Sequence, residues 1–362
     1  MGRKDEILKI WRECFPEDTP QWRDMLFDAV YSEDVALTVA DSSGLTVSSL
    51  LLLPYVMRFH GAETKMSYIY GAGTLPRHRM KGHMGRLIRM ALHEAAARGD
   101  VFVGLVPASD RLRQYYSRFG FSTVGYRREQ RYTAGHSFVT DGAYDDVSSV
   151  CATDLYADFS RMESESMRCG VRHSLQQFLT VMADVAMSDG SLFAAVSSVG
   201  SGRVSAMAWA KRCGARRDVV VTELLSDSYD AANAVLSALQ RQAPGSPLTV
   251  LAATEDDVAG GGFIPGAMVR ITDPAAAFGI IAKADPGLRL TVRLTDETLP
   301  DQSGVYVVSG GSVRHSDTGC GPEEPDLYVT PDVLAAMMFS SNPVAAVTGL
   351  PGGRPHFSLM LD

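Results

Sequence analysis

The sequence lacks the features that direct a chain into a membrane or onto nucleic acid. Its apolar runs, such as residues 50–53 before Pro54, are far too short to cross a bilayer. Residues 1–14 contain no apolar stretch of the kind found in secretory signals. The chain has 34 Lys and Arg against 42 Asp and Glu, and its net charge of −8 repels the phosphates of nucleic acids and anionic lipids. We therefore expect a cytoplasmic protein with no nucleic-acid and no membrane partner.

Cysteine is also scarce. The 362 residues include five cysteines, with no C-x-x-C pair and no histidine nearby at ligand spacing. This pattern predicts neither a zinc site nor a disulfide framework, and it favours reduced thiols in the cytosol. We therefore expect no bound metal. The cysteines are Cys14, Cys151, Cys169, Cys213 and Cys320.

What the sequence does contain is typical of a globular protein with several domains. Hydrophobic residues make up 46% and charged residues 21%, which are ordinary values. At roughly 100–200 residues per domain, the length predicts about two or three domains. The polar segment 136–149, with a turn signal at Asp141-Gly142, indicates one boundary, and a further block begins near Gly266. The predicted domains are 1–140, 141–266 and 267–362.

Hydrophobic periodicity predicts an α/β (α+β) fold with mixed sheets, in which the second block repeats the element order of the first. Helices are predicted over 1–14, 22–31, 82–98, 111–118, 155–167, 175–187, 229–240 and 331–339. Strands are predicted over 35–40, 45–53, 65–75, 100–106, 121–132, 192–199, 204–210, 218–225, 248–252, 288–294, 304–308 and 327–329.

The most informative segment is the turn between predicted strand 65–75 and predicted helix 82–98. It has the pattern R-x-x-G, from Arg79 to Gly82. A helix N-terminus offers free backbone N–H groups and the positive end of the helix dipole, which together suit a pyrophosphate. Gly82 lets the backbone approach a ligand closely, and Arg79 and Lys81 add positive charge. The turn alone is also open to a plainer interpretation, a glycine turn before a surface helix whose Arg and Lys are solvated.

A second motif lies downstream, at residues 116–121 (YSRFGF). The pair R-x-x-G before a helix and Y-x-R-F-G-F resembles the acyl-CoA-dependent N-acetyltransferase (GNAT) superfamily. The resemblance implies that the turn binds the pyrophosphate of acetyl-CoA and that the strand before it pairs with the pantetheine arm. The usual pattern is R-x-x-G-x-G/A, whereas here Met84 holds the last position and Gly85 follows. The residues implied to bind the cofactor are Ala72, Gly73, Thr74, Arg79, Met80, Lys81, Gly82, His83, Met84, Gly85, Ser109 and Asp110.

Other motifs extend the resemblance to nearly the full length. The turn 76–82, the segment 268–274 (MVRITDP) and the short segments 294–296, 303–306 and 325–327 are similar to motifs of the enhanced-intracellular-survival (Eis) type of acetyltransferase. That resemblance implies a catalytic acetyltransferase domain, a degenerate second one and a sterol-carrier-protein-like third domain, in a homo-oligomer such as a dimer or hexamer. Segment 226–230 (SDSYD) fits a degenerate second domain, because it has two aspartates and no glycine where a phosphate turn would be.

Acetyl transfer to an amine needs a proton for the departing thiolate, and the resemblance implies that Tyr116 supplies it. An unperturbed phenol has a pKa of about 10 and is protonated at neutral pH. Tyr115 is the adjacent rival for this role. The plain structural alternative is a core tyrosine beside Phe119 and Phe121.

The general base implied by the Eis-type resemblance is the chain's own terminal carboxylate, here that of Asp362. An α-carboxyl with a pKa of about 3.5 is ionised and able to take a proton from an ammonium. The largely apolar residues 357–361 would dock the tail, although a frayed terminus is an equal alternative. Ser109 and Asp110 resemble positions that touch the pantetheine chain, and Asp110 could equally cap a helix that begins at Arg111.

These observations predict an acetyl-CoA-dependent N-acetyltransferase. Its acceptors are expected to be primary amines of polycationic small molecules, such as an aminoglycoside or a polyamine, or lysine side chains. An acidic groove around Trp22 and the carboxylates of the second helix would suit such cations, but those carboxylates are also typical of a solvated face. The competing hypothesis is a non-catalytic or regulatory protein that binds an apolar ligand through the sterol-carrier-like domain.

Overall fold

The computed structural model of the chain describes residues 2–166, 169–214, 218–253, 263–317, 324–339, 350, 353 and 355–360. These residues form three β-sheets with α-helices packed on them, which confirms the predicted α/β (α+β) class. Within this described part of the chain, no helix is long and apolar enough to cross a membrane.

The helices and strands follow one another along all three predicted domains. The helices are α1 (Arg3–Cys14), α2 (Pro20–Val30), α3 (His83–Ala97), α4 (Asp110–Ser117), α5 (Ala152–Ser166), α6 (Leu175–Met187), α7 (Tyr229–Gln242), α8 (Pro274–Ala284) and α9 (Pro331–Met338). The strands are β1 (Ala36–Ala40), β2 (Thr46–Phe59), β3 (Ala62–Thr74), β4 (Phe102–Leu105), β5 (Ser122–Thr123), β6 (Tyr126–Tyr132), β7 (Tyr144–Asp146), β8 (Gly170–Arg172), β9 (Ser191–Ser198), β10 (Val204–Cys213), β11 (Asp218–Ser226), β12 (Leu248–Ala253), β13 (Phe263–Pro265), β14 (Met268–Ile271), β15 (Leu290–Leu294), β16 (Gly304–Ser309), β17 (Ser312–Ser316) and β18 (Leu327–Val329).

The first sheet has the order β1-β2-β3-β4-β14-β5, and β8 pairs with the far end of β2. Its central strands are buried on both faces because helices cover both. Leu50 and Leu52 of β2 belong to the cluster that α3 covers, where the apolar residues of α3 recur at helical spacing. The alternate residues Leu51 and Leu53 belong to the cluster under α1 and α2.

The second sheet has the order β13-β6-β12-β11-β10-β9-β7, with α7 packed on one face. Its other face shares a continuous core with the first sheet, to which Phe159 of α5, Phe178 of α6 and Trp209 of β10 contribute. The third sheet has the order β17-β16-β15-β18 and packs against α8. The first and second sheets therefore share one apolar interior.

The predicted strand 121–132 is two strands in two different sheets. β5 ends the first sheet, and β6 lies in the second. The chain turns between them at Val124 and Gly125, whose amides both donate to the carbonyl of Ala267, at 3.1 and 3.2 Å. Strand β14, which was not predicted, inserts between β4 and β5. Strand β6 lies in the second sheet although it precedes residue 140, and β8 and β14 lie in the first sheet although they follow residues 140 and 266. The predicted domain boundaries stay a prediction.

Candidate active site

Strands β3 and β4 lie side by side at one end only. Their parallel pairing runs from Met66–Phe102 to Tyr68–Gly104. Beyond that point β3 continues through residues 69–74, whereas β4 ends at Leu105 and pairs with β14 on its other edge. The two strands therefore splay apart. Among the residues that the structure describes, no strand pairs with the edge of residues 71–74 that faces β4, and this edge suits an extended ligand that pairs as a strand would.

A bulge at Gly71 bends β3 within this open stretch. The pairing of β3 with β2 shifts register there, and Gly71 has a φ of 57°. A Cβ atom on Gly71 would lie 2.0 Å from Cζ3 of Trp11, so only glycine fits. Trp11 is itself fixed, because its Nε1 donates to Oδ2 of Asp18 at 2.6 Å. The indole from α1 thus determines where the strand bends, and no sequence motif marks this contact.

Ala72, Gly73 and Thr74, the residues predicted to pair with pantetheine, form the last part of the open stretch. On the opposite edge β2 holds them in place. Ser48 Oγ donates to the carbonyl of Gly73 at 3.0 Å and lies 2.8 Å from Oγ1 of Thr74. The strand is therefore rigid on one edge and open on the other, which is the arrangement that a strand-like ligand requires.

The turn from β3 into α3 presents a row of free amides. Residues Pro76–His78 form one 3-10 turn, Met80 has a φ of 62°, and Gly82, with a φ of 84°, is the N-cap of α3 without a side-chain cap. In the described structure the backbone N–H groups from Met80 to Gly85 make no backbone hydrogen bond. These donors lie at the positive end of α3 and suit a diphosphate.

An open depression of about 390 Å³ lies beside this turn. Lys81, His83 and Arg86 line it on the side of α3, and Asp41 lines it on the side of the β1–β2 turn. The pKa of Asp41 is lowered, because the hydroxyl and the backbone N–H of Ser43 donate to its carboxylate. Ser43 thus satisfies the one acidic group in the depression. The net charge of the lining favours an anion, and Arg86 is a member that the sequence motif did not indicate.

Arg79 makes a contact that the sequence did not predict, and its predicted role in cofactor binding stays a prediction. Its Nε donates to the carbonyl of Thr74 at 3.1 Å, and the Sγ of Cys14 donates to the same oxygen at 3.3 Å. Burial raises the pKa of the Cys14 thiol, with the guanidinium of Arg79 opposing that shift. Arg79 therefore secures the end of β3, while the side chain of Met80 is 93% exposed. Lys81 lies in the same turn and adds positive charge beside the free amides.

Helix α4 begins one residue earlier than predicted. Ser109 has the extended backbone of an N-cap, and its Oγ accepts a hydrogen bond from the amide of Leu112 at 3.3 Å. Asp110 is the first helical residue, and its carboxylate lies 3.5 Å from Nε of Arg113. The alternative in which Asp110 caps the helix is therefore wrong. The contact of either residue with pantetheine stays a prediction.

Tyr116 lies on the buried face of α4, with 8% of its surface exposed. It belongs to the same apolar cluster as Ile69 of β3 and Leu105 of β4, the residues that border the splay. Burial, with a smaller contribution from Tyr115, raises the pKa of Tyr116 to about 12. The phenol is therefore a neutral hydrogen-bond donor at physiological pH.

Unlike Tyr116, Tyr115 has its hydroxyl beside the first turn of α3. Its hydroxyl would lie 3.6 Å from a Cβ placed on Gly85, so it adjoins the first turn of α3. Burial raises the pKa of this phenol too, and Arg89 opposes the shift. The two tyrosines thus face two parts of the site: Tyr116 adjoins the splayed strands, and Tyr115 adjoins the free amides.

Residues 355–360, which we call the tail, also reach the splayed strands. A Cβ atom on Gly104 would lie 2.8 Å from Cε1 of Phe357, and Gly104 is the last residue of β4 paired with β3. The sequence left a docked tail and a frayed terminus as equal alternatives, and it did not indicate the contact with Gly104. Asp362, the predicted general base, lies outside the described residues.

The donor set of this site fits an acyl-CoA. The open edge of β3 matches the amides of a pantetheine arm, and the free amides with Lys81 and Arg86 match a diphosphate. Among the residues that the structure describes, no group of three or more His, Cys, Asp or Glu side chains could hold a metal ion.

Comparisons with known proteins agree with this geometry. Residues 2–124 match the family model described as an acetyltransferase (GNAT) domain. No protein among the curated ones compared matches the sequence. Solved structures resemble the whole chain in fold. Eis1 from Mycobacterium abscessus is 15% identical with a TM-score of 0.72, covering 99% of this chain and 97% of that one.

Two further structures show the same full-length similarity. A probable N-acyltransferase of unknown function from Enterococcus faecalis is 14% identical with a TM-score of 0.77, covering 99% of this chain and 97% of that one. A GCN5-related N-acetyltransferase from Kribbella flavida is 18% identical with a TM-score of 0.71, covering 99% and 95%. At these identities the similarity shows a shared fold. The family model shows that this enzyme contains an acetyltransferase (GNAT) domain over residues 2–124, of a family that uses an acyl-CoA.

Proposed function

We propose that this enzyme transfers the acetyl group of acetyl-CoA to a primary amine, on a polycationic small molecule such as an aminoglycoside or polyamine, or on a lysine side chain. The observation that carries the proposal is the convergence of three parts at one place. Ile69 and Leu105 at the splay, Met84 beside the free amides and the buried Tyr116 all belong to one apolar cluster of the first sheet.

Acetyl-CoA, when bound, supplies a thioester and a thiolate leaving group. In the proposal, residues 72–74 orient its pantetheine arm by strand-like pairing, and the amides before α3 hold its diphosphate. Tyr116 keeps its proton at neutral pH, because its pKa is raised to about 12, and donates it to the departing sulfur. The carboxylate of Asp362 is proposed to accept the proton that the amine loses.

The acceptor is proposed to approach from the space between the first and second sheets. There Trp22 of α2 donates from Nε1 to Oδ1 of Asp184 of α6 at 2.5 Å. Asp184 also lines a cavity of about 110 Å³, together with Leu359 and Met360 of the tail. Met360 is three positions after Phe357, so this cavity is within roughly 10 Å of the splay along the chain. Asp184 supplies a carboxylate that suits an ammonium group.

The proposal also includes the domain arrangement, the oligomeric state and the cellular compartment of the chain. We propose an Eis-type arrangement in which the third sheet belongs to a sterol-carrier-protein-like domain and the chain forms a homo-oligomer. We also propose that it works in the cytoplasm. Cys14, Cys151, Cys169 and Cys213 are free thiols, which persist in a reducing compartment.

The test is a thiol-release assay with acetyl-CoA and a panel of amines that includes kanamycin, spermine and a lysine peptide. We expect turnover by the wild type and its loss in Tyr116→Phe, which removes only the donor hydroxyl. Tyr229→Phe is the matched control, since that tyrosine is 81% exposed on α7 and far from the splay in sequence. Binding of acetyl-CoA without transfer to any amine would contradict the proposal and favour the non-catalytic alternative.

A further inference from the structure

The tail is a packed segment between the first and second sheets. The exposed fractions of Phe357, Ser358 and Met360 are 5%, 4% and 4%. The backbone of His356 pairs with β8: its N–H donates to the carbonyl of Cys169 at 2.9 Å, and its carbonyl accepts from Val171 at 3.0 Å. The tail therefore has one defined path through the interior.

A carboxylate of the second sheet holds the start of the tail. Oε2 of Glu223, on β11, lies 3.1 Å from Nε2 of His356, and only 5% and 19% of these side chains are exposed. Burial alone would raise the pKa of Glu223, but the charge and hydrogen bond of His356, aided by Ser358, lower it to about 2. The charge of Glu223 raises the pKa of His356 against the effect of burial. This is an ion pair between the second sheet and the tail.

A second carboxylate holds the tail three residues later. Oε1 of Glu163, on α5, lies 2.7 Å from Nδ1 of His173, and each side chain is 1% exposed. The other ring nitrogen of His173, Nε2, lies 3.3 Å from the carbonyl oxygen of Leu359. A carbonyl only accepts hydrogen bonds, so Nε2 is the donor in this contact with the tail backbone. Glu163 thus orients the imidazole that holds Leu359.

The two carboxylate–imidazole pairs lie on either side of Phe357 along the tail, and Phe357 is the residue that contacts Gly104 where the strands begin to splay. Departure of the tail would leave the buried Glu223 without His356 and the buried Nε2 of His173 without its contact to Leu359, so each pair opposes it. The pairs and the diphosphate turn are at different places in the fold. Disturbing the pairs is therefore expected to move the tail without disturbing the turn.

We propose that Glu223 and Glu163 are positioning residues for acetyl transfer, which act through His356 and His173 to hold the tail against β4 at the base of the splay. This inference rests on the proposed function. The catalytic groups themselves are those that touch the substrates, and the two glutamates act only by fixing the tail that leads to the terminal carboxylate.

The test compares Glu223→Gln and Glu163→Gln with Asp227→Asn in the full-length enzyme. Asp227 follows β11 and lies 2.7 Å from Nη1 of Arg161 on α5. The control therefore removes a charge from an ion pair that joins α5 to the end of β11, the two elements that carry Glu163 and Glu223. In the described structure that pair makes no contact with the tail. Glutamine keeps the size of glutamate and removes its charge.

Each variant is measured for kcat and the KM of acetyl-CoA with the best amine, and for hydrogen exchange of the tail and of the Val171 amide. We expect both glutamine variants to lower kcat at least about tenfold, with the KM of acetyl-CoA changed less than about twofold. We also expect faster exchange at the tail and Val171. Asp227→Asn should change neither. If Glu163→Gln does not fold, Glu223→Gln and His356→Gln test the more exposed pair alone.

Faster exchange with unchanged kcat would show that the pairs are only structural, and unchanged exchange would show that they do not hold the tail. Either result overturns the proposal. An equal loss of kcat in Asp227→Asn overturns it as well. If the wild type acetylates no amine, the proposed function itself fails. Wild-type turnover that survives in both glutamine variants removes only the positioning role.

Discussion

Arg270 and Asp296 form a buried ion pair beside the end of helix α4. Nη2 of Arg270 lies 2.7 and 2.6 Å from the two carboxylate oxygens of Asp296, and Nη1 donates to the carbonyl of Phe119 at 2.5 Å. Arg270 comes from β14, Asp296 follows β15 of the third sheet, and Phe119 follows α4. A Cβ on Gly120 would lie 1.8 Å from Nη1, so the guanidinium occupies the space that this glycine leaves. The pair joins the third sheet to the helix that carries Tyr116.

Asp296→Ala should lower the free energy of unfolding by about 3–5 kcal/mol, because it leaves the Arg270 guanidinium buried without its counter-ion. Thermal and urea unfolding measure the change. The control is Asp317→Ala, whose carboxylate lies 3.5 Å from His315 but is 84% exposed. That variant should change stability by less than about 0.5 kcal/mol. Equal changes in the two variants would mean that the buried pair has no special role.

Gly71→Ala should weaken both stability and acetyl transfer, because the new Cβ would collide with the Trp11 ring at the bulge. Gly61→Ala is a close control, since Gly61 has a φ of 84° and nothing within 4 Å of its Cβ position. The Gly61→Ala control should lose only the stability, about 1–2 kcal/mol, that a side chain costs in the left-handed backbone region. We expect Gly71→Ala to lose about 1–3 kcal/mol more. Unfolding curves give the difference, and similar losses in both variants would contradict a steric role for Trp11.

The phenol of Tyr116 should stay protonated at pH values well above the ordinary tyrosine pKa of about 10. Burial raises its pKa to about 12, so the neutral donor form persists until pH approaches that value and is lost only beyond it. Any alkaline fall in kcat near pH 10 should therefore come from other groups. Ultraviolet titration of wild type against Tyr116→Phe measures this directly. The difference in tyrosinate absorbance should develop only above about pH 11, and a difference that develops near about pH 10 would contradict the buried position.

The local parts of this site could be predicted from the sequence, and the parts made by distant residues could not. The turn at Gly82 and the amphipathic helix α3 are encoded within a few residues, so motif and periodicity suffice. The pairing of β14 with β4 and the contact of Glu223 with His356 join residues far apart in the chain. No local pattern distinguishes Glu223 from a solvated glutamate, because its burial depends on how the two sheets meet. For the same reason, the motif at residues 268–274 does not indicate that Arg270 forms a buried ion pair with Asp296.

Lys81→Ala should raise the KM of acetyl-CoA about tenfold while leaving kcat nearly unchanged, because one charge-assisted contact to a diphosphate contributes about 1.5 kcal/mol or more. Lys283→Ala, on the exposed side of α8, is the control for losing one positive charge. Acetyl-pantetheine, which has the thioester but no diphosphate, separates the two possible roles of Lys81. If Lys81 binds the diphosphate, the variant and the wild type should use acetyl-pantetheine equally well. A loss of activity with both acyl donors would instead mean that Lys81 shapes the turn, and the diphosphate would have to bind elsewhere along α3.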